Sequence, residues 1–145
     1  MRCYREGLAL AETLLTAGRS SPGITLITAC RNLGQEAARR GDRETSLQYA
    51  RRALEASDPS AAAANGRPAG VQLFLTPRGP AAMGLVYAGL ARAGSGNADR
   101  QQAAQWLEKS LAAWKQAQSD PAFAPVHRAE MRQVEAALAG LRLER

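Results

Sequence analysis

The chain has 145 residues, of which 46% are hydrophobic and 5% aromatic, and it carries a net charge of +6. That length supports one domain with its own core. No run of about 18 apolar residues marks a membrane span, and no continuous apolar segment with a small-residue cleavage site marks a secretory signal, so the default location is the cytoplasm.

Alanine and leucine dominate, and both favour helix. β-Branched residues are few and scattered, so an all-α fold is expected. The first helix is drawn over about 2–17, where Tyr4, Leu8, Ala11 and Leu15 make one apolar stripe and Gly18 closes it. Ser21-Pro22 opens the second, with Leu26, Cys30, Leu33 and Ala37 as its stripe and Gly41 at its end. Asp42 caps the third, which turns Leu47, Ala50 and Leu54 inward. Leu54 is expected to be core between two helical hairpins.

Residues 57–70 are rich in Ala, Ser, Gly, Pro and Asn and read as a loop. Val71-Gln72-Leu73-Phe74-Leu75 is an apolar patch inside this linker. Thr76-Pro77 and Gly79-Pro80 compete to start the fourth helix, whose buried face is Met83, Tyr87 and Leu90. A turn over 93–97 leads to the fifth helix, which runs to about Gln118 with Ala103, Leu107, Leu111 and Trp114 on one side. Asp120-Pro121 is another cap-plus-proline signal. Pro125 would clash with the preceding turn deep in a helix, so the sixth helix starts near it, with the stripe Met131, Val134, Leu138 and Leu141.

The residues offer little chemistry. Cys3 and Cys30 fall on apolar helix faces and read as small core hydrophobes. His127 is the only histidine, so no metal-ligand spacing exists, and no cofactor is implied. No paired carboxylates, phosphate loop or nucleophile-base set stands out, so no enzyme activity is expected. Arginine greatly outnumbers lysine, but Arg39, Arg40, Arg43, Arg51 and Arg52 are interleaved with Glu36, Asp42, Glu44 and Glu55. No aromatic stacking platform accompanies them, which argues against nucleic acid.

Two hairpins align, helices two with three and four with five. Leu33-Gly34, Ala37, Gly41-Asp42, Ser46, Ala50, Ala53-Leu54 and Pro59 resemble a tetratricopeptide (TPR) repeat. Tyr87-Ala88 matches Leu33-Gly34, while Ala103, Leu107 and Ser110-Leu111 match Ser46, Ala50 and Ala53-Leu54. The first helix looks like the second half of a further repeat. It reads either as the start of a piece cut from a longer protein or as a helix that caps the array. The whole pattern also resembles the helical tails that follow the kinase domain in some bacterial Ser/Thr protein kinases. No kinase motif is present.

The TPR resemblance implies a single domain over 1–145, a solenoid of antiparallel hairpins with about six helices. Its parts are a half-repeat helix (1–18), hairpin one (21–57), a linker (58–75), hairpin two (76–118) and a capping helix (121–143). It implies a non-catalytic module that binds a protein or peptide, regulatory or scaffolding in role. It also puts Thr28, Arg31, Gln35 and Arg39 on the wall of a concave groove. In the second hairpin the matching positions include Leu85, Gly89 and Arg92. Two guanidinium groups and an amide on one helix side can grip a peptide carboxylate, and an ordinary solvated face stands as the competing reading. Trp106 is either an interface anchor or packing against the last helix. Phe74 either folds back over the solenoid or fills its groove. Two further readings stay open: a basic helical nucleic-acid binder, and a self-associating domain that forms homodimers through the exposed face of the first helix.

Overall fold

The computed structural model describes residues 5–7, 9–10, 13, 23–60, 69–94 and 96–144. Among the described residues there are six helices and no strand. They are α1 (Gly23–Arg39), α2 (Arg43–Ser57), α3 (Ala69–Leu75), α4 (Arg78–Gly94), α5 (Asn97–Ala117) and α6 (Pro125–Leu143). The expected first helix lies largely outside the described residues, with Tyr4, Leu8, Ala11, Leu15 and Cys3 among those not described.

Local chemistry sets the α1–α2 hairpin. The Gly41 amide donates to the Ala38 carbonyl and the Asp42 amide to the Ala37 carbonyl, both at 3.0 Å. This paired closure needs a left-handed residue at the helix exit, and Gly41 supplies it at φ +75°. The next residue starts α2: the Asp42 carboxylate accepts from the Thr45 amide at 3.1 Å. Thr45, through its side chain first and this amide second, holds the Asp42 carboxyl below its usual range.

α4 lies at the centre and packs against α1, α2, α5 and α6. Small residues bring the helices together. A Cβ on Gly34 would sit 2.9 Å from Val86 Cγ2 and 3.1 Å from the Ser46 carbonyl oxygen, so α1 meets both α2 and α4 there. A Cβ on Gly84 would meet Leu107 at 2.6 Å, where α4 meets α5. Gly34 opposes Val86 and Gly89 opposes Ala38. The pairs advance together along both helices, so α1 and α4 run parallel. Ser110 is buried and donates to the Pro77 carbonyl at 2.7 Å, tying α5 to the turn before α4.

Among the described residues the core has three parts. Leu26, Ile27, Cys30, Leu33 and Leu75 form one under α1. Leu47, Ala50, Met83, Val86 and Leu90 form another between α2 and α4. Leu107, Trp114, Met131, Val134, Leu138 and Leu141 form the third between α5 and α6. All four stripe residues expected of α6 are buried, and so are those of α1. Cys30 is a free, fully buried thiol whose pKa is pushed up to about 11 by burial. Among the described residues, no helix is long and apolar enough to cross a membrane.

Several expectations are corrected. Val71–Leu75 is not a patch within a loop: residues 69–75 form α3. Of the two competing starts, Thr76-Pro77 comes closer, because α4 begins at Arg78 and takes Pro80 into its first turn. Leu54 is only half-buried at the edge of the α2–α4 core. Trp106 packs on that same α2–α4 core rather than against the last helix.

Candidate functional site: a groove between parallel helices and a buried arginine node

The C-terminal halves of α1 and α4 border a groove of about 330 Å³, lined by Gln35, Arg39, Leu85, Gly89, Arg92 and Ala93. Helical spacing brings Gln35 and Arg39 to one side of α1, and Leu85, Gly89 and Arg92 to one side of α4. Gly89 is needed for the floor, since a Cβ there would come within 3.0 Å of the Ala38 side chain. The walls are cationic and polar and the floor is apolar. Arg39 is bound to Glu36 at 3.0 Å and keeps 69% of its side chain exposed. Arg92 pairs with Glu144 at 3.7 Å and is 58% exposed. Exposed pairs of this kind are worth about 0–1 kcal/mol, so both guanidinium groups can exchange these partners for an incoming carboxylate.

The other residues singled out from the sequence lie elsewhere. Thr28 and Arg31 are half-buried on α1 and do not line this groove. Trp106 borders a separate apolar depression of about 270 Å³ with Leu54, Pro59, Pro80 and Lys109. The Lys109 ammonium sits 5.0 Å from its ring centroid. Phe74 is on α3 and packs into the α5–α6 core.

Most of the arginine cluster is engaged with acids. Arg39 and Arg40 both bind Glu36, at 3.0 and 2.9 Å, and together lower its pKa. Arg43 grips Asp99 with two bonds of 2.7 and 2.9 Å, joining the starts of α2 and α5.

The residue that sequence reasoning missed is Arg78, at the first position of α4 and only 5% exposed. Its Nε donates to the Phe74 carbonyl at 2.9 Å. One terminal nitrogen donates to Glu130 at 2.6 Å and the other to His127 Nδ1 at 3.1 Å. Its guanidinium carbon lies 5.6 Å from the Trp114 ring centroid. Arginine only donates, so Nδ1 accepts and the proton of the neutral imidazole sits on Nε2. Phe74 stacks on the His127 ring at 4.4 Å and 7°. Burial pulls the Arg78 pKa down, Glu130 opposes that shift, and Arg31 adds to it. The one sequence signal was on α6, where His127 and Glu130 share a helix side three residues apart.

Among the described residues no group of three His, Cys, Asp or Glu side chains could hold a metal ion. No protein-family model, curated protein or solved structure matches the chain.

Proposed function

We propose that the chain is a TPR-like solenoid of antiparallel hairpins that acts as a non-catalytic interaction module. It binds an acidic protein or peptide segment along the groove between α1 and α4, in a regulatory or scaffolding role. One observation carries this reading: Gln35, Arg39, Leu85 and Arg92, distant in sequence, line a single groove between two parallel helices. Leu85 offers an apolar contact for affinity, and Arg39 and Arg92 offer charge for selection. Nucleic-acid binding is the weaker reading, because the arginines of the 39–52 cluster alternate with acidic residues and no aromatic stacking platform accompanies them.

The test is a partner captured by pull-down, followed by the double variant Arg39→Ala plus Arg92→Ala. Loss of two exposed ion pairs should weaken binding about tenfold. Unchanged affinity would move the binding surface off this groove.

A further inference from the structure

We propose that the Arg78–His127–Glu130 node is an acid-released clasp, in which protonation of His127 undocks α3 and the first turns of α6 from α4 and α5.

The geometry supplies the switch. His127 Nδ1 is the acceptor for the Arg78 guanidinium at 3.1 Å. A proton on that nitrogen removes the acceptor and sets an imidazolium against a guanidinium. Both groups would then be donors with nothing between them. The guanidinium cannot yield, because arginine stays charged at all relevant pH. It cannot turn to water easily either, since it is only 5% exposed.

The groups around the imidazole decide the sign. Arg78 on α4 repels the charged form, Glu130 on α6 favours it, and burial opposes it. Arg31 on α1 acts one step away, through Arg78. Three aromatic rings also face it: Phe74 of α3 is stacked on the imidazole, with Trp114 of α5 and Phe123 of the preceding turn at 6.0 and 5.8 Å. Burial, then Arg78, outweigh Glu130, and the His127 pKa lies below its ordinary 6.5. A lowered histidine pKa contributes stability that is full above the unfolded value of about 6.5. That contribution is lost as pH falls through the folded value.

The same contacts limit what is released. His127 touches α3 through Phe74, and the Arg78 guanidinium donates to Phe74 on α3 and to His127 and Glu130 in the first two turns of α6. Met131, Val134, Leu138 and Leu141 hold the rest of α6 by apolar contact, which does not titrate. The response is therefore expected at one end of α6 and at α3.

Trp114 reports the event, being fully buried beside the node. In a Trp106→Phe background it is the only tryptophan left. Its emission is followed from pH 7.5 to 5, with and without His127→Phe, which keeps the aromatic stack and removes the proton site. The expected result is a red shift on acidification that His127→Phe abolishes, while far-ultraviolet ellipticity keeps most of its helical signal. Three results overturn the clasp: no shift, the same shift in His127→Phe, or complete loss of ellipticity along with the shift. Should either variant fail to fold, the proton spectrum of the wild-type chain decides the matter, since His127 is the only histidine. A titration midpoint below 6.5 that tracks movement of the Phe74 and Phe123 ring signals supports the clasp. A midpoint at or above 6.5, or ring signals that do not move, refutes it.

Discussion

Gly34 shows how much one missing side chain decides. Its hydrogen stands where a Cβ would press on Val86 and on the backbone oxygen of Ser46. A flexible side chain could give way, but a helix backbone cannot. Gly34→Val should therefore destabilise the fold by about 1–3 kcal/mol through overpacking, read as a lower urea midpoint. An unchanged midpoint would mean that the three helices do not meet there. This contact was legible in advance, because small residues at matched helix positions leave a trace in Leu33-Gly34 and Ala37. Arg78 was not. A lone arginine reads as surface, and only the arrival of His127 and Glu130 from some fifty positions further on makes its burial tolerable. Leu54 erred the other way: its helical phase was right, yet it sits at the margin of its core rather than within it.

Helix ends were well marked in the sequence, because capping is local chemistry. The Gly41-Asp42 pair stops α1 and starts α2 within two residues. Gly41→Ala forces a left-handed backbone on an L side chain and should cost about 1 kcal/mol, seen as a lowered thermal midpoint. No steric clash adds to this, since nothing lies within 4 Å of the position a Cβ would take. An equally stable variant would show that the turn has another conformation. Pro125 likewise begins α6 as its fixed φ allows. α3 escaped notice for a physical reason. At seven residues it spans too little to show a period of 3.6. It also follows a stretch of Ala, Gly and Pro that carries turn signals. Its helical state comes from tertiary contact, with Phe74 on His127 and Leu75 in the α1 core.

Across the molecule, α4 is the shared element. Ala82 belongs to the α1 core, Ala81 and Ala88 to the α5–α6 core, and Met83, Val86 and Leu90 to the α2–α4 core. A helix that enters all three can open only when each of them is broken. Amide hydrogen exchange should therefore be slowest in α4, and faster by an order of magnitude or more in the first turns of α6. Comparable protection in both would indicate one uniform cooperative unit. The sequence carries a trace of this centrality that reading one stripe per helix passes over: from Gly79 to Ala91 α4 has no charged residue, as a helix buried on all sides requires. The aligned positions Gln35, Arg39, Leu85, Gly89 and Arg92 could be listed from the sequence, but not their meeting, which depends on α1 and α4 lying side by side.

That parallel arrangement also gives the proposed groove a direction. Arg39 and Arg92 both stand in the last turn of their helices. There the aligned peptide dipoles leave partial negative charge, which holds cations in place. Both cationic groups thus gather at one end, and Leu85 sits about two and a half turns back from the tip of α4. The two ends of the groove are chemically unlike. A segment lying in it would be read as a vector, its carboxylates toward the helix tips and its apolar side chains behind them. The same residues in reverse order would then be a different ligand.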